Sequence, residues 1–188
     1  MSRLITKRAL ADSMKKLMLK KPFDKLTVND VCIDADISRR SFYRYFRDKY
    51  DLLSWIYHDD YFSKIKIRDD WVIWDYMPQI CEYCYKDRQF FKKAVQVEGQ
   101  NSARAYWREF LRPIIERDFK DTYLGEKSAD FYVIKTCDAL FDYMYEWISS
   151  PEIMPPEEFA FFVRHSVALH AKRSWEIASG IYKPEKAD

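Results

Sequence analysis

The sequence predicts an all-α protein of about nine helices, with a small N-terminal three-helix head and a larger helical body. Glycine is scarce, with 3 among 188 residues, and aromatic residues make up 18% of the chain, which favours densely packed helices. Apolar residues recur at intervals of three and four along most of the chain, as on one face of a helix. Serine, threonine, aspartate and proline stand at the borders of these segments. We assign residues 1–50 to the head and residues 51–188 to the body.

The head begins with one helix and continues with two short capped ones. The first is predicted to start at Thr6 and to end before Pro22, because proline disfavours helical conformation in the residue before it. Thr27 and Asp30 then fit a capping box, in which each side chain accepts a hydrogen bond from the other residue's amide. Ser38 is a good N-cap for the third helix. Two capped helices joined by a turn of only a few residues are typical of a helix-turn-helix.

The third helix carries a basic face. At about 100° per residue, one arc of roughly 140° collects Arg39, Arg40, Tyr43, Arg44 and Arg47. Phe42 and Phe46 point the other way, toward a core. Guanidinium groups beside phenol hydroxyls suit phosphate oxygens and guanine edges. The alternative is an ordinary solvated helix face, but the doubled capping pattern favours DNA recognition.

The charge is divided unevenly between head and body. Residues 1–50 hold thirteen Lys and Arg against six Asp and Glu, a net +7, whereas the whole chain has a net charge of +2. The body is therefore acidic, at −5. This asymmetry predicts a polyanionic partner for the head alone.

Several other classes of protein are disfavoured. No stretch approaches 18 uninterrupted apolar residues and the N-terminus lacks a signal-peptide core, so we expect a cytoplasmic protein without a membrane partner. The four cysteines form no disulfide framework, which fits a reducing compartment. No nucleophile with a base, no paired catalytic carboxylates and no metal cluster is detectable, so we expect neither an enzyme nor a cofactor or metal. Cys81 and Cys84 form a lone C-x-x-C, which indicates helix packing, with a thiol switch as the alternative.

The first third of the chain resembles the TetR/AcrR family of transcriptional regulators. Three segments carry the resemblance: TKRALADSMKKLML, FDKLTVNDVCIDADIS and RRSFYRYFRDKYDLL. It implies an all-helical homodimer that binds double-stranded DNA through the head. The chain departs from the family in one place, since Asp36 stands where the turn usually has glycine. Aspartate tolerates a left-handed backbone better than most residues, so we expect the turn to form.

The resemblance also implies roles for individual residues of the head. The positions expected to face bases in the major groove are Arg39, Arg40, Ser41 and Arg44. The positions expected to contact phosphates are Thr27, Tyr43, Tyr45 and Lys49. If Lys49 binds a phosphate, its replacement should weaken binding to all sequences alike and flatten the salt dependence by about one unit.

Six further helices are predicted from residue 48 onward. The fourth begins near Asp48 and runs toward residue 66, joining head to body without a flexible linker. The fifth spans 71–86, with a kink or restart at Pro78, and the sixth spans 88–97. The remaining three are predicted to begin at Asn101 or Ser102 with a bend near Pro113, at Ser128, and at Glu157, the last ending near Ser179.

The last two helices are amphipathic and are expected to pair antiparallel and to meet a second copy as a four-helix bundle. The alternative is that both apolar stripes face only their own core; the resemblance favours the homodimer. The residues assigned to this interface are Val133, Cys137, Leu140, Met144, Phe162, Val163, Val167 and His170.

The body also holds candidates for a ligand pocket. These aromatic residues are Trp71, Trp74, Tyr83, Phe91, Tyr106, Trp107 and Phe110, and the alternative for them is plain core. The run Phe90–Leu111 is similar to a segment in a subgroup of the family that regulates dihydroxyacetone kinase genes, where one type is an activator with a protein co-regulator. The expected partner of the body is therefore a small-molecule effector or a protein co-regulator.

The leading hypothesis is a sequence-specific transcriptional regulator on a palindromic operator; the alternative is an interaction module that acts through a partner protein rather than through DNA.

Overall fold

The computed structural model describes residues 3–99, 102–120 and 126–181, without the side chains of 126–128. These ranges contain nine α-helices and no strand, so the all-α prediction is confirmed. The helices are α1 Arg3–Met18, α2 Val28–Asp34, α3 Arg39–Tyr43, α4 Lys49–Ile56, α5 Ile73–Lys86, α6 Arg88–Ala94, α7 Ala103–Asp118, α8 Glu126–Ser149 and α9 Pro156–Ala178. None of these helices is long and apolar enough to cross a membrane.

The helices of the head share one buried core. Leu10 and Met14 of α1, Val31 of α2 and Phe42 of α3 have no exposed surface. Ser13 adds a polar tie, since its hydroxyl donates to the carbonyl oxygen of Val31 at 3.1 Å. α1 thus supports both short helices, although it begins at Arg3, earlier than predicted.

The predicted caps of the head are confirmed. The amide of Asp30 donates to the hydroxyl of Thr27 at 3.1 Å, and the amide of Thr27 donates to the Asp30 carboxylate at 2.8 Å, which completes the capping box. The amide of Ser41 donates to the Ser38 hydroxyl at 3.2 Å. Between the two helices, Asp36 has a φ of +52°, the left-handed conformation expected for that turn.

The helix that leaves the head is shorter than predicted. Asp48 caps α4, its carboxylate accepting two first-turn amides at 2.8 Å, as expected. α4 ends at Ile56, however, and the chain continues through a π turn, Tyr57–Tyr61, and a 3-10 turn, Phe62–Lys64.

Contacts with α1 account for the wider turn. Arg8 pairs with both Asp59 and Asp60, and the Lys15 ammonium lies 3.4 Å from Asp60 and 3.2 Å from the hydroxyl of Tyr61. Three consecutive side chains therefore face one helix. A regular α-helix spreads three such side chains over about 200°. A π turn holds more residues per turn and keeps them closer together.

Two expectations are wrong, a restart of the helix at Pro78 and a cap at Ser128. Neither Pro78 nor Pro113 ends its helix, because α5 and α7 both continue past their prolines with buried apolar residues on either side. The predicted cap at Ser128 is wrong, since α8 already begins at Glu126; the side chain of Ser128 lies outside the described residues.

The last two helices do not form a close antiparallel pair. α8 packs mainly on α7 and α9 mainly on α5. Three arginines, spaced four residues apart on α7, hold α8 in place through the ion pairs Arg104–Asp142, Arg108–Asp138 and Arg112–Asp130. α8 and α9 meet where one ends and the other begins, with the rings of Trp147 and Phe159 stacked at 4.4 Å.

The capping box makes the stability of the head depend on pH. Hydrogen bonds from Lys21 and from Thr27 lower the pKa of Asp30 to about 2, below its ordinary value of about 4. A lowered pKa means that the folded state favours the carboxylate. This stabilisation is complete above about pH 4 and is lost as the pH falls toward 2.

We predict that Asp30→Asn lowers the free energy of unfolding at pH 6 and that the gap from the natural protein narrows between pH 4 and pH 2. Urea denaturation at several pH values measures this gap. Asp12→Asn, at an exposed aspartate of α1, is the control and should leave stability unchanged. A gap for Asp30→Asn that does not vary with pH would contradict the prediction.

Candidate nucleic-acid interface

The exposed side of α3 presents a compact set of donors. Arg39, Arg40 and Arg44 are exposed, and Ser41 is half-buried beside them. Behind them Phe42 is fully buried, so the orientation of the whole turn is fixed by the core. All four residues predicted to face bases therefore lie on or directly after one short helix.

The basic face is shorter than the sequence predicted. α3 ends at Tyr43, with Arg44 as its C-cap, and the last turn tightens, since the amide of Tyr45 donates to the carbonyl oxygen of Phe42, three residues back, at 2.9 Å. Arg47 lies beyond this turn, and its amide donates to Asp51 at 2.9 Å. The prediction that Arg47 shares the arc of α3 is wrong, since that arc assumed an uninterrupted helix.

Two tyrosines support the arginines. The guanidinium carbon of Arg39 lies 5.9 Å from the ring of Tyr43, and that of Arg44 lies 5.8 Å from the ring of Tyr45. Cation–π contacts of this kind restrict a long side chain without consuming its hydrogen-bond donors. Tyr43 is half exposed, whereas Tyr45 packs against the core with one side. Both phenol groups therefore border the exposed arginines.

The hydrogen-bond donors of Thr27 and Lys49 already have partners within the protein. Besides its amide, Thr27 donates its hydroxyl hydrogen to Asp30, at 2.7 Å. The Lys49 ammonium donates to three backbone carbonyl oxygens, those of Phe23 at 2.8 Å, Leu26 at 2.9 Å and Asp24 at 3.2 Å. Partial burial lowers the pKa of Lys49, although the charge of Asp24 acts in the opposite direction.

The seven aromatic residues proposed for a pocket do not converge on one cavity. Phe91 and Trp107 line an enclosed apolar cavity of roughly 30 Å³, and the indole nitrogen of Trp107 is buried without a hydrogen-bond partner. Tyr106 and Phe110 instead pack around Phe62, at 5.3 and 4.4 Å between ring centres.

The other three aromatic residues lie apart from that cavity. Trp71 packs against Tyr76 at 5.1 Å, and Trp74 borders a surface groove between α5 and α9. Tyr83 is partly buried against the core and lines neither space. Helical spacing thus identified aromatic core positions, while their grouping depended on how the helices pack.

The C-x-x-C motif is part of the core. Cys81 and Cys84 are buried, and the Cys81 sulfur lies 3.9 Å from the sulfur of Met144. Burial raises the pKa of the Cys81 thiol to about 12 and that of Cys84 well above its ordinary value. Thiols that stay protonated are poor nucleophiles and poor metal ligands, which favours packing over a thiol switch. Within the described ranges, no group of metal-ligating side chains is found.

The residues assigned to a dimer interface divide into two sets. Five are at most 4% exposed and lie in the protomer's own core: Val133, Cys137, Leu140, Met144 and Val163. Three lie exposed on α9: Phe162, Val167 and His170. Since α8 packs on α7 and α9 on α5, the buried five offer no surface to a second protomer.

Ion pairs that were not predicted from the sequence connect the head to the body. Lys15 of α1 pairs with Asp60 of the π turn and with Asp87, the residue between α5 and α6. The hydroxyl of Tyr61 donates to Asp87 at 2.7 Å, and Asp60 is only 7% exposed. These residues are too far apart in the chain for any spacing rule to connect them.

Comparison with known proteins agrees with this architecture. Residues 10–55 match the family described as "Bacterial regulatory proteins, tetR family", and residues 74–167, half of the chain, match "Transcriptional regulator C-terminal region". A curated relative, the "HTH-type dhaKLM operon transcriptional activator DhaS" of Lactococcus lactis subsp. lactis (strain IL1403), is 27% identical over 132 residues, covering 69% of this chain and 67% of the relative.

Solved structures share the fold. The "Dihydroxyacetone kinase operon activator DhaS" superposes with a TM-score of 0.61 at 22% identity, covering 88% of this chain and 96% of that one. A TetR transcriptional regulator from Streptococcus agalactiae 2603V also gives 0.61, at 16% identity, covering 85% and 91%. With a helix-turn-helix at its N-terminus and family matches over both parts of the chain, this protein belongs to the TetR family of transcriptional regulators.

Proposed function

We propose that each head places α3 in the major groove of an operator, with Arg39, Arg40, Ser41 and Arg44 facing the bases. The observation that carries this proposal is the cluster of three exposed arginines on a turn whose opposite side, Phe42, is fully buried. A fixed backbone places the arginine side chains together on one side, and a guanidinium can donate two hydrogen bonds to one guanine. Tyr43 and Tyr45 border this surface and are proposed to contact phosphates. The same role is proposed for Thr27, whose hydroxyl would exchange its hydrogen bond to Asp30 for one to a phosphate.

The protein acts on DNA as a homodimer in this proposal, and the partner of α9 is a second copy of the chain. From Arg164 to Gly180 no residue of the helix region is buried. Apolar side chains remain exposed there, among them Leu169 at 67%, Trp175 at 62% and Ile177 at 56%. Isolated helices of this length are marginal in water, and such side chains favour burial. We therefore assign the interface to these residues with Phe162, Val167 and His170, in place of the five buried ones.

The input to the body is proposed to arrive at its surface, from a protein co-regulator. Pockets for small molecules usually have volumes of about 300–1,000 Å³. The enclosed cavity beside Trp107 has roughly 30 Å³, space for about one water molecule. A small-molecule effector that binds in this cavity would have to open the core around it. The curated relative is named an activator, which supports the proposal that regulation by this chain need not be repression. All four cysteines are free thiols, which supports a cytoplasmic location.

Binding to random-sequence duplex tests the basic function. We predict that the affinity falls steeply with salt, by nearly one logarithmic unit per decade of salt for each phosphate contacted. Fluorescence anisotropy at two or more potassium chloride concentrations measures the slope. Absence of binding even in dilute buffer would favour the alternative, an interaction module that does not use DNA.

Sequence recognition is tested with Arg40→Ala on an operator selected from a random DNA library. If Arg40 makes a bidentate contact with a guanine, the variant loses about 1–3 kcal/mol at that base pair and tolerates other bases there. Arg47→Ala, beyond the helix, is the matched control and should keep the sequence preference. An Arg40 variant with unchanged preference would contradict its assignment to the bases.

The dimer is tested by sedimentation velocity. We predict a dimer at micromolar concentration that Leu169→Asp together with Trp175→Asp converts to a folded monomer, because two charges from each protomer would be buried in the interface. Glu146→Gln, at an exposed position of α8, controls for a change of surface charge elsewhere. A natural protein that sediments as a monomer would refute the proposal.

A further inference from the structure

Lys49 stands at an electrostatically unusual place. It is the first residue of α4, where the unpaired amides give the helix its positive end. A lysine there is unfavourable unless its charge is held by acceptors nearby. Asp48 is used to cap the helix amides, so it does not serve as that acceptor. Other acceptors must therefore hold the charge of Lys49.

Three backbone carbonyl oxygens around Lys49 are these acceptors. An ammonium group has three hydrogens, and the oxygens of Phe23, Asp24 and Leu26 accept one each, at 2.8–3.2 Å. The rings of Phe23 and Tyr50 enclose the charge at 4.6 and 5.5 Å, and they contact each other edge to face at 5.0 Å. The donors of this side chain are all in use inside the head.

These carbonyls belong to the connection between α1 and α2. Phe23–Lys25 forms a 3-10 turn, too short to pair its own carbonyl groups fully. Phe23 and Leu26 are 6% and 1% exposed, and the carbonyl oxygen of Phe23 accepts the amide of Leu26 at 3.0 Å. A carbonyl oxygen has two lone pairs, so these residues can accept further donors. Lys49 is the side chain that supplies them, from a helix 23 to 26 residues further along the chain.

Thr27 follows this connection directly. The residue caps α2, and its place is set by the backbone of Leu26 on one side and by Asp30 on the other. A pin between Leu26 and α4 therefore fixes where α2 begins and how the helix-turn-helix is oriented on α4. Phosphate contacts at the start of α2 depend on that placement.

We propose that Lys49 is a positioning residue that pins the α1–α2 connection to the start of α4, and that it does not bind a phosphate. This inference rests on the proposed DNA-binding function. It replaces the phosphate role that the family resemblance implied for Lys49. A phosphate would have to compete with three hydrogen bonds that are already made in the free protein.

Two variants separate the roles. Lys49→Met removes the charge and all donors, whereas Lys49→Arg keeps the charge but has a planar fork that does not fit three converging oxygens. Lys25→Met, at an exposed lysine of the same turn, is the matched control for loss of charge. The measurements are the melting temperature of the free protein and its affinity for random-sequence duplex over 50–300 mM salt, at a temperature where circular dichroism shows every variant folded.

The positioning role predicts that both Lys49 variants melt at least about 5 °C lower and bind about tenfold more weakly at every salt concentration, with the slope unchanged. Lys25→Met should keep the melting temperature.

A slope that Lys49→Met flattens by about one unit, with Lys49→Arg behaving like the natural protein, would show a phosphate contact and overturn the proposal. Lower melting with unchanged affinity would also overturn it, because the pin would then stabilise the head without placing it on DNA. Failure of the natural protein to bind DNA would instead refute the proposed function.

Discussion

The exposed arginine surface of α3 depends on the burial of one phenylalanine. α3 has five residues, and a helix of that length does not persist alone in water. Phe42 provides the stabilisation, since it is fully buried between the helices of the head. Phe46 extends this contact, with its ring 5.7 Å from Phe42 and 5.9 Å from Trp55 of α4. The arginines are therefore held by the core behind them rather than by the helix itself.

The same dependence on long-range contacts joins head and body. Lys15 reaches from α1 to Asp60 and to Asp87, so one charge links the head with two segments of the body. Separating a partly buried charge from its partners is unfavourable, because the charge is then left without compensation. A displacement at the start of α6 must therefore move α1 or break these pairs.

Features of the fold that depend on neighbouring residues were predictable from the sequence. The capping box at Thr27, the caps at Ser38 and Asp48 and the left-handed Asp36 were predictable, because each depends on residues within about four positions. The end of α3 before Arg47 was not predicted, because the arc of arginines assumed a continuous helix, whereas the amide of Arg47 donates to Asp51.

What the sequence determined by itself was the local plan: an all-α chain, a helix-turn-helix in a basic head, and amphipathic helices after it. Periodicity and capping are properties of neighbouring residues, so they can be recognised without coordinates. Only the tertiary structure decided that Val133 and Met144 face the protomer's core, that the aromatic residues of the body leave a cavity of roughly 30 Å³, and that the ammonium of Lys49 is enclosed by carbonyl oxygens. The physical reason is that an amphipathic helix must bury its apolar face but does not specify against which partner, and a lysine does not specify which acceptors will surround it.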